Sequence, residues 1–528
     1  MSTPQPPLLG RAQRGAVALA DVTVKLHPLD DVVIAKGPLL PRTTLQTESG
    51  DIVVSQMIPP GHKVAIHDVA KGGPVRRYGQ TIGFASQDIA AGQHVHTHNL
   101  EVHQGELELD YGFSENVIPV DYVPEAERRT FMGYRRADGR VGTRNFVALL
   151  ASVNCSSTAV RRVADHFRDN PVLDQYPNVD GVIAFPTKGG CGAHYGSNHL
   201  HLLQRTMAGI VDHPNIGGYV IMSLGCETNQ PEDIIDIGNL DNGHQPTVLT
   251  IQEDGGFLKT VEAGIAAVMN LLPEANKAQR EPVPASELVV ALQCGGSDGW
   301  SGVTANPALG EASDLIVRQG GTVVLGETSE VYGGEHLMTR RAVSPEVGQK
   351  LVDKIHWWEE YTSMHGASID NNPSPGNKLG GLTTIYEKSL GAIAKSGTTP
   401  MTDVIDYAER ITGRGFIHMD TPGYDPVSAT GQVAGGCNIV VFTTGRGSAF
   451  GFKPAPSIKI ATNSTLYAKQ EPDMDINAGK MLDGLTLQEM GEEILDEILA
   501  VASGKLSKSE AAGIGEEEFN PWIIGATL

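Results

Sequence analysis

Cysteine is scarce in this chain, with only five among 528 residues. So small and odd a number does not predict the disulfide framework of a secreted protein, and we expect a reducing, cytoplasmic location. Long apolar runs are also lacking. None reaches the roughly 20 residues that a membrane-spanning helix needs, so no membrane partner is expected. The first 19 residues lack the apolar segment of a signal peptide and are predicted to be a flexible tail.

Positive charge is the second deficit. Lysine and arginine total 40 against 62 acidic residues, which gives a formal net charge of -22. Nothing in so acidic a chain would hold a phosphate backbone, so nucleic acid is excluded as a partner. A small anionic substrate stays compatible, since a local group of arginines can bind it. The phosphate-binding motifs GxGxxG and GxxxxGKS/T are missing, so no nucleotide cofactor is predicted.

Turn signals divide the chain after residue 19 into four parts. Short apolar segments separated by Pro- and Gly-rich turns predict a small β-rich domain over 20–112, followed by a polar linker over 113–132. Apolar runs then alternate with helical stretches, which predicts βαβ units with parallel sheets in two α/β domains, 133–285 and 286–528. The runs predicted as strands are 146–151, 181–185, 219–224, 288–292, 322–325 and 439–442.

All five cysteines fall in polar or glycine-rich turns at the ends of predicted strands. They are Cys155, Cys191, Cys226, Cys294 and Cys437. A structural cysteine behaves as a small core residue and would lie inside an apolar run. Thiolates in such turns are suited to nucleophilic catalysis or to binding soft metals. No CxxC pair occurs, so a zinc ribbon is not predicted. Mononuclear iron and an iron–sulfur cluster held by distant cysteines both stay open.

Three histidines, His94, His96 and His98, alternate near the end of the β-rich domain. On a strand they would point to one face, because side chains alternate with a period of two. This arrangement predicts a metal site or an acid–base site, and the alternative is a solvated strand edge. Lys71, in a glycine-rich turn, is a weaker candidate for a general base, against the common case of a surface lysine.

An arginine-rich loop precedes the predicted strand 146–151, and a polar turn with a thiol follows it. A helix is predicted over 158–167, with Thr158 as its N-cap. Ligands of open α/β sheets bind beyond the carboxyl ends of strands, where loop amides favour anions. The stretch therefore predicts a site for an anionic small molecule, with a surface arginine cluster as the alternative. The segment Gly445-Arg446-Gly447-Ser448 is an isolated second candidate for binding a carboxylate.

Several long motifs follow one another along the chain. They are GQHVHTHNLEV, GYRRADGRVGTRNFVALLASVNCSS, LGCE, LQCGGSDGWSGVTANPALGEASD and DTPGYDPVSATGQVAGGCNIVVFTTGRGSAFGFKPAPSIKIATN. Together they resemble the altronate and galactarate dehydratase family over nearly the whole chain after about residue 20. The pair His96 and His98 resembles the altronate branch. His67 departs from the family pattern, which has an apolar residue or threonine there.

The resemblance implies a fold and an activity. The fold is an N-terminal SAF-like β-rich domain followed by a larger two-part α/β region with Rossmann-like parallel sheets. The activity is dehydration of an altronate-like sugar acid to a 2-keto-3-deoxy acid with Fe²⁺, with Mn²⁺ or an iron–sulfur cluster as alternative cofactors. The alternative functions are galactarate dehydration, sulfolactate sulfo-lyase activity and non-enzymatic binding of a sugar acid. A homo-oligomer is expected, with a dimer as its form.

This chemistry needs a base beside the carboxylate, an acid for the departing hydroxyl and an electrophile. The predicted catalytic groups are Lys71, His96 and His98. The predicted metal ligands are His96, His98, Cys155, Cys226 and Cys294. The predicted substrate-binding residues are Arg140, Arg144, Asn145, Asn154 and Asp298. The arginines are chosen because a planar guanidinium binds a carboxylate with two bonds, and Glu327 is a further carboxylate candidate.

Overall fold

The structure, a computed structural model, describes residues 13–102, 109–240 and 246–525. No helix in these ranges is both long and apolar enough to cross a membrane. The described chain folds into an N-terminal β-rich domain, a middle α/β domain and a C-terminal α/β domain. Side chains of the middle and C-terminal domains share one hydrophobic core, so these two domains pack directly on each other.

The described residues of the N-terminal domain form ten short strands in three small sheets, and one α-helix, α1 (Leu19–Val22). The strands are β1 (Ala16–Ala18), β2 (Thr23–Val24), β3 (Val32–Ala35), β4 (Thr44–Thr47), β5 (Gly50–Val53), β6 (Lys63–Ala65), β7 (Pro74–Arg77), β8 (Gln80–Ala85), β9 (His94–Val95) and β10 (Leu100–Glu101). Their orders are β1-β4-β5, β2-β3-β6-β9 and β10-β8-β7. Pairing is antiparallel except between β1 and β4.

A three-stranded antiparallel sheet joins the two ends of the middle domain. The chain enters through β11 (Thr130–Arg135), pairs it with β12 (Val141–Gly142), and leaves through β17 (Arg280–Pro284). β17 pairs with β11 from Thr130 to Tyr134. Because the entering and leaving strands pair with each other, both ends of the middle domain are fixed at one place.

The middle domain has a four-stranded parallel sheet in the order β14-β13-β15-β16. Its elements are β13 (Phe146–Ala151), α2 (Ser157–Phe167), β14 (Gly181–Phe185), α3 (Asn198–Val211), β15 (Ile216–Ser223), α4 (Pro231–Gly238), β16 (Thr247–Thr250) and α5 (Phe257–Ala275). Every residue of β13 is buried, because its alternate side chains pack into two different cores on the two faces of the sheet.

The C-terminal domain has a seven-stranded parallel sheet. The strands are β18 (Val289–Cys294), β19 (Thr322–Leu325), β20 (Met401–Ile405), β21 (Gly415–Met419), β22 (Ile439–Thr444), β23 (Ser457–Ala461) and β24 (Ile476–Asn477). Their order is β20-β21-β19-β18-β22-β23-β24. The helices are α6 (Ala305–Arg318), α7 (His336–Thr339), α8 (Pro345–Met364), α9 (Pro375–Leu379), α10 (Ile385–Ile393), α11 (Asp425–Ala434), α12 (Ser464–Lys469), α13 (Leu487–Ala502) and α14 (Lys508–Ala511).

The predicted fold class is confirmed, since a β-rich domain precedes α/β domains with parallel sheets. Predicted strands 146–151, 181–185 and 322–325 coincide with β13, β14 and β19, because continuous apolar runs are typical of buried parallel strands. Two local predictions were wrong. The N-cap of α2 is Ser156 rather than Thr158, and residues 16–18 of the predicted tail form β1. Residues 1–12 of that tail lie outside the described residues.

The N-terminal domain docks on the C-terminal domain through a buried ion group. Glu387, on α10, is fully buried and accepts hydrogen bonds from Lys63, at 2.9 Å, and from Arg77. Lys63 also donates to the Gly381 carbonyl and Arg77 to the Gly299 carbonyl, each at 2.7 Å. Burial alone would raise the pKa of Glu387, but the two cations outweigh it and lower the pKa to about 2. One ionised carboxylate therefore serves as the shared counter-charge of two cations across the domain interface.

Replacing Glu387 by Gln should destabilise the protein strongly. The change leaves Lys63 and Arg77 buried without a counter-charge, which typically costs about 3–5 kcal/mol. Urea unfolding at pH 7, followed by circular dichroism, measures this cost. Glu360→Gln, at an exposed position on α8, is the matched control, with an expected change within about 0.5 kcal/mol. A Glu387→Gln protein as stable as the control would contradict the assignment.

The same experiment has a pH dependence of defined sign. The folded pKa of Glu387, about 2, lies below its ordinary value of 4.5. The stabilisation is therefore complete above pH 4.5 and is lost as the pH falls towards 2. The stability difference between wild type and Glu387→Gln should narrow over that range, and a difference that widens would argue against the interaction.

Candidate functional site

Polar side chains of the C-terminal domain gather at the carboxyl edge of its parallel sheet. Strands β18, β19, β21, β22 and β23 run in the same direction, so the loops that follow them meet at one edge. In open α/β sheets this edge is where ligands bind. The residues there include Cys294, Glu327, Asp420, Arg446 and Thr462.

Cys294, Glu327 and Glu330 form a buried group at this edge, called here the Cys294 group. One ligand atom from each residue lies within 4.8 Å of the other two. The Cys294 Sγ atom is 3.9 Å from Glu327 Oε2 and 3.8 Å from Glu330 Oε2. Glu327 has a left-handed backbone, with φ of 64°, held by a 2.6 Å bond from its amide to Thr421 Oγ1. Such strained backbone concentrates at functional sites.

Two buried lysines and a third acid surround the Cys294 group. Lys388 Nζ, on α10, is 2.6 Å from Glu330 Oε1, and Lys395 Nζ is 3.5 Å from Glu327 Oε2. Burial, and next the charge of Glu330, raise the pKa of Glu327 to about 8 and that of Asp425 to about 6. Three acids therefore face two ammonium groups, and the raised pKa values of Glu327 and Asp425 express the cost of placing so many carboxylates together away from water. An added cation would relieve that cost.

The Cys294 group has the donors that a metal ion requires. Glu327 Oε1 is buried and has no hydrogen-bond partner in the described ranges. An unsatisfied buried acceptor costs about 1–3 kcal/mol, so a ligand at this point is expected. One thiol and two carboxylates suit a divalent transition metal. Burial raises the pKa of Cys294 to about 12, so thiolate formation here needs a cation. The residues present fit a metal.

Four histidines of the N-terminal domain form a second group, called here the histidine group. Its members are His62, His94, His96 and His98. His62 Nδ1 lies 3.0 Å from His94 Nε2, and neighbouring ring centroids are 5.1 to 5.5 Å apart. The prediction of one strand face was wrong, because β9 ends at Val95. A turn that follows β9 brings His96 and His98 towards His94 instead.

Carbonyl groups of the C-terminal domain determine which ring nitrogens of His62 and His96 carry a proton. A carbonyl only accepts, so His96 Nε2 donates to the Lys378 carbonyl at 2.9 Å and His62 Nε2 to the Leu379 carbonyl at 3.3 Å. His62 Nδ1 is then free to accept from His94. Burial, and next the neighbouring positive charges, lower the pKa of His62 to about 4 and that of His94 to about 3. These rings are neutral at pH 7.

The histidine group lies against the loop that starts at Cys294. The Gly299 amide in that loop donates to the Gly380 carbonyl at 2.8 Å, next to the carbonyls that bind the histidines. Gly61, which precedes His62, packs so closely on Gly299 that a Cβ on Gly299 would clash with the Gly61 carbonyl. The histidine group and the Cys294 group therefore border the same loop, 295–302, from two domains.

Asp298, in this loop, was predicted to bind substrate, but its oxygens bind the protein. Thr462 Oγ1 donates to both carboxylate oxygens at 3.1 Å, and Ser301 Oγ donates at 3.2 Å. The Trp300 amide and the Asn463 side chain donate at 3.0 and 3.3 Å. Burial raises the pKa of Asp298 to about 6 in spite of these bonds. These bonds join the loops after β18 and β23, and a contact of Asp298 with substrate stays a prediction.

Arg446 follows β22 at the same edge and is exposed. Its backbone amide donates to the Gly296 carbonyl at 2.8 Å, which fixes its main chain beside the loop 295–302. Among the described ion pairs and hydrogen bonds, none involves its guanidinium. A cation with these properties can bind the carboxylate of a small acid.

Arg140, Arg144 and Asn145 lie at the amino end of β13, the opposite end from the thiol. Arg144 is buried and donates twice to Glu510, at 2.7 and 2.8 Å, and to three main-chain carbonyls. Arg140 pairs with two aspartates. The Asn145 side chain donates to two carbonyls. For Arg144 and Asn145 the predicted role in substrate binding is corrected, because groups of the protein occupy their donors, whereas the role of Arg140 stays a prediction.

The other predicted residues lie in two domains. Lys71 lies exposed in a turn of the N-terminal domain, and its role as a base stays a prediction. Cys155 and Cys226 lie exposed in the middle domain, apart from Cys294. Asn154 is beside Cys155, and its substrate role stays a prediction. The five predicted metal ligands thus do not form one site. Among the described residues, the Cys294 group is the one set of at least three His, Cys, Asp or Glu side chains whose ligand atoms all lie within 4.8 Å of one another.

Sequence reasoning missed His62, Glu330, Lys388, Lys395 and Asp425. Glu330 had a local signal, since it lies three residues after Glu327 beyond a predicted strand. The lysines lie about 60 residues further along the chain, and His62 lies in another domain. Their convergence depends on tertiary packing, which a single sequence does not reveal.

Comparison with known proteins gives consistent matches along the chain. The altronate/galactarate dehydratase SAF domain matches residues 21–103. The second domain of D-galactarate dehydratase/altronate hydrolase matches residues 133–276, and the C-terminal domain of D-galactarate/altronate dehydratase matches residues 285–527.

Curated relatives cover nearly the full length. Altronate dehydratase of Escherichia coli K12 is 37% identical over 92% of this chain and 96% of the relative. Altronate dehydratase of Bacillus subtilis 168 is 35% identical over 92% of this chain and 96% of the relative. Galactarate dehydratase (L-threo-forming) of E. coli K12 is 40% identical over 91% and 93%.

His62 and His94 should stay uncharged well below neutral pH. Because the folded pKa values of His62 and His94 lie below the ordinary 6.5, their contribution to stability is complete above pH 6.5. The contribution of His62 is lost as the pH falls towards 4, and that of His94 is lost as the pH falls further towards 3. NMR titration of histidine-labelled protein measures this, with resonances assigned by the variants His62→Gln and His94→Gln. A midpoint above pH 6 for either ring would contradict the buried, bonded geometry.

Proposed function

This chain belongs to the altronate and galactarate dehydratase family and dehydrates a sugar acid, and we propose an altronate-like aldonate as its substrate. The reaction centre is the carboxyl edge of the C-terminal sheet, faced by the histidine group. The hydro-lyase removes the proton at C2 and the hydroxyl at C3, which gives a 2-keto-3-deoxy acid. Galactarate is the second candidate, because the galactarate dehydratase relative is 40% identical.

The observation that carries this proposal is the Cys294 group with its unpartnered Glu327 oxygen. We assign it as the site of a divalent metal, Fe²⁺ first and Mn²⁺ as the alternative. The ligands would be the Cys294 thiolate and the Glu327 and Glu330 carboxylates. When bound, the ion supplies Lewis-acid stabilisation of the negative charge that develops beside the substrate carboxylate.

Lys388 and Lys395 hold positive charge beside the reacting atoms. Burial opposes their charge, but the surrounding acids and the Cys294 thiol outweigh burial and raise the pKa of both amines. Both lysines therefore stay protonated and serve as cations rather than bases. In a site shielded from water, such fixed charges stabilise a developing enediolate without reorganisation.

The histidine group supplies the acid–base step. His96 Nε2 donates to the Lys378 carbonyl, which leaves Nδ1 to accept, and the Thr97 hydroxyl lies 3.1 Å from it. Burial lowers the pKa of His96, so the ring is ready to accept a proton. His98, exposed at the same place, is the second acid–base candidate. A neutral imidazole that takes the C2 proton can return it to the departing hydroxyl.

Arg446 binds the substrate carboxylate in this proposal. Arg446→Gln should raise KM about 10- to 100-fold, since a charge-assisted bond contributes roughly 1.5–3 kcal/mol. The change in kcat should be small, because the arginine contacts the substrate equally before and during the reaction. Steady-state kinetics measures both constants. Arg162→Gln, at an exposed position on α2, is the matched control. Wild-type KM in Arg446→Gln would eliminate this role.

The proposed centre is tested by an anaerobic assay of the iron-loaded protein against aldonic and aldaric acids. Formation of keto acid from altronate supports the first substrate, and formation from galactarate alone supports the second. Cys294→Ser and Glu327→Gln should each lower kcat at least about 100-fold, about 2.7 kcal/mol of barrier. Both substitutions should also reduce the amount of iron bound per chain, which elemental analysis measures. Sulfite release from sulfolactate would point to the sulfo-lyase alternative instead.

Cys437→Ala is the control for these variants, since Cys437 is buried in the core away from the Cys294 group. Circular dichroism of each metal-free variant separates lost folding from lost metal. Full iron binding and activity in a folded Cys294→Ser protein would rule out the assigned metal site.

The proposed location is the cytoplasm, supported by three exposed free cysteines, which persist in a reducing compartment. A homodimer is the proposed assembly, and size-exclusion chromatography with light scattering measures it.

A further inference from the structure

Three cysteine-bearing loops lie at the carboxyl edge of the middle-domain sheet, in a different domain from the proposed reaction centre. Cys155 follows β13, Cys191 follows β14 and Cys226 follows β15. These strands are parallel neighbours in the order β14-β13-β15. The carboxyl ends of neighbouring strands therefore lie about 4.8 Å apart, and the loops with the thiols leave the same edge of the sheet.

Hydrogen bonds join the three thiol-bearing loops to one another. The Asn154 amide, next to Cys155, donates to the Gly189 carbonyl at 3.0 Å. The Asn229 amide donates to the Gly190 carbonyl, next to Cys191, also at 3.0 Å. Ser152 Oγ donates to Glu227, next to Cys226, at 2.6 Å.

Gly190 permits this convergence. Its φ is 94°, and a Cβ at this position would lie 2.7 Å from the Val153 Cα atom. Only glycine fits such close contact between two backbones. The loops of Cys155 and Cys191 are thus fixed against each other.

The three thiols are accessible and free. Cys155, Cys191 and Cys226 are exposed, whereas Cys294 and Cys437 are buried. Gln252 Nε2 lies 3.3 Å from the Cys226 sulfur and donates to it. Amide donors of this kind stabilise sulfur that carries negative charge. Three exposed thiols at one edge are not explained by packing, and the dehydration centre at Cys294 does not use them.

The spacing of the sulfur atoms distinguishes two kinds of metal centre. A single tetrahedral ion with metal–sulfur bonds of about 2.3 Å holds its sulfurs about 3.8 Å apart. Among the described residues, the three thiols do not come within 4.8 Å of one another as a set, unlike the ligand atoms of the Cys294 group. A cluster binds each thiolate through a different iron and accommodates wider spacing.

We propose that Cys155, Cys191 and Cys226 hold a four-iron iron–sulfur cluster at the carboxyl edge of the middle-domain sheet. Three protein thiolates leave one iron without a cysteine. The exposure of the three cysteines places that iron within reach of solvent and small ligands. This centre is additional to the metal of the Cys294 group and does not depend on it.

The test is anaerobic reconstitution of the full-length protein with ferrous iron and sulfide. The expected product contains roughly four acid-labile sulfides per chain and absorbs broadly in the visible range. Cys155→Ser, Cys191→Ser and Cys226→Ser should each lower labile sulfide at least about threefold. Cys437→Ala should retain it. Cys294→Ser should also retain it, which separates this centre from the proposed dehydration site.

A second measurement remains informative if a variant fails to fold. Alkylation of the wild-type protein, read by mass spectrometry, should modify the three cysteines before reconstitution and spare them afterwards. The proposal is overturned if the three cysteines stay reactive in the reconstituted protein. It is also overturned if Cys294→Ser lowers the labile sulfide content and the substitutions of Cys155, Cys191 and Cys226 do not. Binding of one cobalt ion per chain without uptake of sulfide would also overturn the proposal, because it would indicate a mononuclear site at the three cysteines.

Discussion

The arrangement of the two domains around the reaction centre depends on the buried carboxylate of Glu387. It is the shared counter-charge of Lys63 and Arg77 of the N-terminal domain, while the next residue on α10, Lys388, neutralises Glu330 in the Cys294 group. Adjacent residues on one helix thus serve the interface and the centre. Desolvated ion pairs are costly to break one partner at a time, so the interface has one preferred geometry. That geometry sets the position of the histidine group relative to the sheet edge.

Burial determines how the groups at this edge differ in chemistry. The same desolvation that keeps His62 and His94 neutral raises the pKa values of Glu327 and Asp425. Neutral imidazoles are available as proton acceptors, whereas desolvated carboxylates favour a cation. A dehydratase needs both properties within reach of one substrate. The chain obtains them by placing acids and imidazoles on different domains that meet at the loop 295–302.

Local signals in the sequence were sufficient to predict several strands. The composition of the candidate site depends on long-range packing, which those signals do not contain. The apolar runs that became β13, β14 and β19 are buried on both faces, so their boundaries are readable from hydrophobicity alone. Cys294 and Glu327 were readable as polar residues just beyond such strands. Arg144 was misread, because a guanidinium that binds substrate and one that binds Glu510 have the same sequence signature. Lys388 and Asp425 join the site only through the packing of α10 and α11.

The middle and C-terminal sheets place thiols at their carboxyl edges, and these edges face the same side of the molecule. Helix α3 packs along α11 with Gly209 against Ala434. Further back along the chain, Phe185 at the end of β14 contacts Phe519 edge to face, and Thr430 of α11 donates to the neighbouring carbonyl of Glu518. The helices therefore run in the same direction, and so do the strands before them. Burial separates the two edges chemically. An enclosed thiol among carboxylates favours a single divalent ion, and three exposed thiols favour a sulfur-rich cluster.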